Sequence, residues 1–177
     1  MDPRRLAASS LAVWLAASAL APSPAAAQDH AGMDHAAHMG APAATNDSAF
    51  RALQERGKGT MGVDQYASRH RFQDLQDGGR IELQMREADS AGIAAIRAHL
   101  QQTARDFTAG IFTAPDSTHA MVVPGTEVMA RKKGRIAYRY RPLPRGGEIR
   151  IRTADPEALR AVREFLAFQR EDHRTTP

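Results

Sequence analysis

The sequence predicts an α+β fold: a two-layer sandwich in which a four-stranded, mainly antiparallel sheet carries two helices on one face. Three observations predict it. A hairpin-then-helix unit occurs twice, from His70 to about Phe107 and from Tyr138 to about His173. The copies superpose, with Phe72 on Tyr140, Gly78-Gly79 on Gly146-Gly147, Ile81 on Ile149 and Leu83 on Ile151; after an offset of two, Ile96 falls on Val162, His99 on Phe165 and Leu100 on Leu166. Within each copy the apolar period changes from two to a helical one. The spacing matches no solenoid repeat, so it reads as a duplicated ββα unit. One hairpin is marginal in water, whereas four strands sharing a helix-covered face can be stable.

Residues 1–27 have the layout of an export signal: Arg4 and Arg5, an apolar run from Leu6 to Leu20, then small residues closing at Ala25-Ala26-Ala27. Cleavage is expected near Ala27-Gln28, giving a periplasmic or secreted protein. The absence of cysteine fits an oxidising compartment and leaves neither a disulfide framework nor a thiol nucleophile. The pI of 9.9 comes from arginine, because lysine occurs only at positions 58, 132 and 133. In an exported chain such a balance points to anionic lipid or acidic partners rather than to nucleic acid.

Residues 28–46 are rich in small residues and lack apolar periodicity, so a disordered arm is expected. Asn46-Asp47-Ser48 then caps a short helix over about 48–56, stopped at Gly57. Gly57-Lys58-Gly59-Thr60 lacks the order of a phosphate loop and no apolar strand precedes it. Period-two alternation over His70 and Phe72, then over Ile81, Leu83 and Met85, gives the first hairpin, turning at Asp77-Gly78-Gly79. The parity slips at Leu75 and again at Leu143, which predicts a bulge or a strand end at both places. Asp89-Ser90 caps a helix striped by Ile93, Ile96, Leu100, Thr103 and Phe107 and ended by Gly110. Phe112 to Pro124 reads as a long connection, 126–133 as a short helix, and the second unit follows. Its helix opens at Asp155-Pro156. The domain is expected over 47–173, with 174–177 as a frayed tail.

Three groups of residues carry candidate chemistry. The arm holds His30, Met33, His35, His38 and Met39 within ten positions. Imidazole suits copper and zinc, whereas thioether sulfur is soft and favours Cu(I), so the mixture points to copper, with zinc as the alternative. In the domain, His70 shares the inward face with Phe72, and His99 stands where the second copy has Phe165. The connection brings His119, with Met121 two residues on. A buried histidine must be hydrogen-bonded or bound to something, so either these are structural histidines satisfied within the protein or they form a three-imidazole site with or without the thioether. Finally, parity places Arg69, Arg71, Arg80, Arg86, Arg135, Arg139, Arg141, Arg150 and Arg152 opposite the apolar side, among only Glu82 and Glu148. Such a patch suits phosphates or carboxylates, an acidic periplasmic protein, anionic lipid or a second copy of the chain. No aromatic lies on that face for bases to stack on, which argues against RNA. Ser117, Thr118 and His119 have no Gly-x-Ser-x-Gly context, and no catalytic constellation is legible.

Met61-Gly62-Val63-Asp64-Gln65, His70-x-Phe72, Asp77-Gly78-Gly79, Arg97-x-His99-Leu100, Phe165-Leu166-x-Phe168-Gln169 and Asp172-His173 resemble a group of small uncharacterised bacterial proteins. The likeness covers residues 61–173. Some members carry the label aspartate carbamoyltransferase, which this chain does not support, because it lacks the Ser-Thr-Arg-Thr loop that binds carbamoyl phosphate. The arm separately resembles the Met/His-rich segments of periplasmic copper-handling proteins.

Overall fold

The computed structural model describes residues 42–175, with side chains from Asp47 onward. The export signal expected over 1–27 and the donor-rich arm over 28–46 lie outside them, save that the backbone of 42–46 is helical. The chain runs through α1 (Pro42–Met61), β1 (Ser68–Leu75), β2 (Gly78–Met85), α2 (Ser90–Ala109), α3 (Thr113–His119), α4 (Thr126–Arg131), β3 (Ile136–Leu143), β4 (Gly146–Thr153) and α5 (Pro156–Asp172), with 3₁₀ turns at Gln65–Ala67 and Lys133–Arg135. Among the described residues no helix is long and apolar enough to cross a membrane.

The expected architecture is present. One antiparallel sheet, in the order β1-β2-β4-β3, carries α2 and α5 on its apolar face. The Asp89 carboxylate accepts from the Ala91 N–H, Asp155 accepts from Glu157 and Ala158, and Gly110 ends α2 in the left-handed region at φ 80°. These are the caps that the sequence predicts. Of the two readings of the parity slips, strand ends are what the structure shows and not bulges: pairing is continuous from Ser68↔Met85 to Leu75↔Gly78 and from Ile136↔Thr153 to Leu143↔Gly146, and β1 and β3 stop there. The turns are the pairs Gln76-Asp77 and Pro144-Arg145, so Leu75 lies on the outer face and Asp74 on the helix side, where Arg170 pairs with it at 2.9 Å.

The first helix is also longer than its capping signal suggests. Gly57 and Gly59 lie inside it, and Gly62, at φ 75°, terminates it. Phe112 to Pro124 is not an open loop, because α3 occupies its first half. The Arg56 Nε donates to the Thr118 carbonyl at 2.8 Å and Thr118 Oγ1 donates to Thr60 Oγ1 at 3.2 Å, which ties α3 to α1.

The helices are exchanged between the two units. α2 lies chiefly over β3 and β4, whereas α5 lies chiefly over β1 and β2. At each crossing a leucine rests on a glycine. A Cβ on Gly79 would sit 2.2 Å from Leu166 Cδ1, and one on Gly147 would sit 3.2 Å from Leu100 Cδ1 and 2.6 Å from Tyr140 Cε2. The leucine of each copy therefore sits on the glycine of the other. Around them Phe72, Ile81, Leu83, Ile96, Ile149, Ile151, Val162 and Phe165 close one continuous core.

Gly79→Val and Gly147→Val each force a helix away from the sheet and are expected to lower stability by roughly 1–3 kcal/mol, the cost of overpacking a filled core. Urea unfolding midpoints measure it. A midpoint unchanged from wild type would show that the helices do not approach this closely.

Candidate functional site

The histidines of the domain meet at one place. A cavity of about 80 Å³ lies among α1, β1, β2, α2, α3 and α5, and His70, His99, His119 and His173 all line it, together with Met61 and Gln65. Each is delivered by a different piece of the fold. His70 stands on the inward face of β1 beside Phe72, and Met61 closes α1. His99 and His119 come from α2 and α3, and His173 caps the end of α5. Phe107 and Phe165 form the apolar inner floor. The volume admits a few waters or a small bound group.

His70 Nε2 lies 3.4 Å from Met61 Sδ. The His173 ring stacks on both His70 and Phe72, with centroids 5.1 and 5.6 Å apart, and its Nδ1 is buried without a protein partner. His119 is differently placed. Its Nδ1–H faces the Asp172 carboxylate and its Nε2 lies 3.2 Å from Gln169 Oε1. A half-turn of the Gln169 amide lets its otherwise unpartnered NH₂ donate to His119 Nε2, so both nitrogens of this ring are engaged within the protein. Gln65 is 6 % exposed, and neither polar atom of its amide has a partner. That amide lies where a Cβ on Gly57 would be, 1.4 Å from the ideal position, which is why a glycine occurs in mid-helix there.

Burial sets the charge state. Desolvation lowers the His70 pKa from 6.5 to about 4, aided by His99 and Arg86. It lowers that of His173 to about 3, aided by His70 and His119 and opposed by Asp172. His99 is lowered by burial against the pull of Asp106. His70 and His173 are therefore neutral at neutral pH, which is the form of imidazole that binds metals.

The structure thus brings His70, His99 and His119 to one cavity but spends His119 on Asp172. Met121 does not take part, since it is 49 % exposed; the thioether beside the imidazoles is that of Met61. Among the described residues, no group of three or more His, Asp or Glu side chains is disposed to hold a metal ion. His30, Met33, His35, His38 and Met39 lie outside the described residues. Two members of the site were not singled out as donors from the sequence. Met61 stood in an apparent loop, and His173 stood at the boundary of an apparently frayed end; its place one helical turn beyond Gln169, on the stripe of Val162, Phe165 and Leu166, was the available signal.

The arginines divide into two sets. Arg80 and Arg141 hold Glu148 at 3.5 and 3.0 Å, and Arg150 and Arg152 hold Asp77 at the first turn, keeping its carboxyl below the usual range. Glu148 is 4 % exposed in the middle of the outer face. Arg69, Arg71, Arg86 and Arg139 have no carboxylate partner among the described residues. Arg135 lies in the 3₁₀ turn ahead of β3, not on its face, and Arg86 lies just beyond β2 with its Nε on the Tyr66 carbonyl at 3.0 Å.

No family model, curated protein or solved structure matches this chain.

The unfolded chain protonates His70 and His173 near 6.5, whereas the folded chain does so only at about 4 and about 3. The unfolded state then binds more protons, so stability is full above pH 6.5 and falls as the pH drops toward about 4. His70 alone contributes roughly 3 kcal/mol to that fall. The expected result is a urea midpoint that declines steeply over this window and is flatter in a His70→Phe, His173→Phe double variant; equal slopes would mean the rings are solvated.

Proposed function

We propose that this protein is an exported copper-binding protein of metal homeostasis or transfer, which holds Cu(I) in the histidine-lined cavity through Met61, His70 and His173. The arm from His30 to Met39 would gather or pass on the ion, in the periplasm or outside the cell. The observation that carries this reading is the 3.4 Å separation of Met61 Sδ and His70 Nε2. Two ligands on one tetrahedral ion, with bonds of about 2.3 Å to sulfur and about 2.0 Å to nitrogen, stand roughly that far apart. As it is, the contact is a weak imidazole-to-thioether hydrogen bond. A shift of the His70 proton to Nδ1 frees both lone pairs for one ion. The orphaned Nδ1 of the stacked His173 supplies a third donor, and a thioether with neutral imidazoles is a soft set that favours Cu(I) over zinc. His119, fixed by Asp172, orients the ring of His173 at 5.1 Å rather than ligating.

Titration of the processed chain with Cu(I) and Zn(II) tests this. Cu(I) is expected to bind preferentially, and a Met61→Leu, His70→Phe variant is expected to lose roughly 10–100-fold in affinity at the domain site. Gly57→Ala, which touches no donor but displaces Gln65, is expected to weaken binding less. Removal of residues 28–41 should lower the stoichiometry without abolishing it. Equal Cu(I) affinity in the double variant and wild type would remove the cavity from the proposal.

A further inference from the structure

A second, larger hollow adjoins the histidine cavity. It has a volume of about 680 Å³ and follows the free edge of β1, with Phe50 and Gln54 of α1 on one side and the chain beyond α5 on the other. Gln65, His70 and His173 line both spaces, so this cleft is the vestibule of the cavity. Four guanidiniums surround it, those of Arg69, Arg71, Arg86 and Arg174, and no carboxylate lines it. Arg174 is held by Asp47 at 3.2 Å and lies over the Phe50 ring at 4.3 Å. Arg69, Arg71 and Arg86 have no carboxylate among the described residues.

The walls of the same cleft also leave polar atoms unpaired, of which the Gln65 NH₂ and the Thr175 hydroxyl can donate to a carboxylate. Gln54 Oε1, both amide atoms of Gln65, His173 Nδ1 and Thr175 Oγ1 are buried in its walls without protein partners. Gln54 and Gln65 are 8 % and 6 % exposed. Unpaired amide groups at such depth are costly unless something satisfies them.

Charge and shape restrict what that is. A bare cation approaching the cavity would meet the guanidiniums of Arg69, Arg71 and Arg86, beside Arg174, whose charge Asp47 offsets. The cleft volume is that of a small-molecule site, not of a flat protein interface. Arg69 and Arg71 are two residues apart on one strand, hence roughly 7 Å apart at the backbone. That spacing suits two carboxylates separated across a small molecule better than one phosphate, and each guanidinium can fork onto a carboxylate. We propose that the cleft binds a small polycarboxylate through Arg69, Arg71 and Arg86, and that metal reaches the cavity as an anionic complex of such a molecule; the second half of this statement rests on the copper reading, the first does not.

The test is calorimetric titration of citrate into the full processed chain without metal, at low and high salt, with inorganic phosphate as the comparison. Wild type is expected to bind citrate, more weakly as salt rises, and to bind phosphate less well. Arg69→Gln, Arg71→Gln changes two exposed side chains and is expected to lower citrate affinity roughly tenfold or more. Cu(I) delivered from its cationic acetonitrile complex, which brings no carboxylate, should bind that variant at least as tightly as it binds wild type. Met61→Leu, which alters the inner cavity alone, should keep citrate binding while weakening Cu(I). Absence of citrate binding by wild type, an unchanged affinity in the arginine variant, or phosphate binding as tight as citrate would each overturn the polycarboxylate site, whatever the outcome with copper. Citrate binding with no Cu(I) binding would overturn delivery of copper and leave the anion site standing.

Discussion

Everything in this fold depends on two close approaches between helix and sheet. Leu166 lies against Gly79 and Leu100 against Gly147, where no side chain stands between them. Because each leucine belongs to one ββα unit and its glycine to the other, neither unit can cover its own hairpin. The duplication is thus a reciprocal lock, and it commits the chain to a four-stranded sheet with β2 and β4 at its centre. The apolar face gains its burial only when both copies are in place, which makes the two halves one cooperative body.

That lock also decides where chemistry can occur. The exchange of helices carries the end of α5 to β1, so His173 stacks on His70 and Phe72. The same arrangement puts the aromatic equivalents of copy two to structural use. Tyr138 and Phe165, which match His70 and His99, pack edge-on against Phe107 at 5.6 and 5.9 Å. Copy one has imidazoles at those places, and α1 and α3 enclose them. The result is a largely apolar pocket with a few imidazole and amide groups, set in one half of a pseudo-symmetric core whose other half is filled with rings.

Burial has a double consequence for that pocket. It keeps His70 and His173 uncharged, so their nitrogens can accept a ligand, and it leaves amide groups such as those of Gln65 and Gln169 dependent on their neighbours or on what occupies the space. The arginines act at a different range. Those in the centre of the outer face neutralise Glu148 and Asp77 and hold the strands together, whereas those at the β1 edge keep their charge for whatever enters the cleft. One stretch of strand, Arg69-His70-Arg71, serves both spaces because successive side chains point to opposite faces.

The sequence by itself determined the fold class, the duplication, the caps of α2 and α5 and the side of the sheet on which the strand arginines stand, because these follow from periods of two and 3.6 and from local capping chemistry. It misread the ends of its elements where glycine has a tertiary role. Gly57 looked like a helix stop and is instead room for the Gln65 amide, whereas the parity slips at Leu75 and Leu143, readable as bulges or strand ends, are strand ends. Only the tertiary structure decided which donors meet. Met61 and His173 are separated by more than a hundred positions, so no periodicity relates them, while Met121, beside His119 in sequence, points to solvent. Which side chains share a cavity is settled by how the exchanged helices cross the sheet, and that is a property of the whole core rather than of any local stretch.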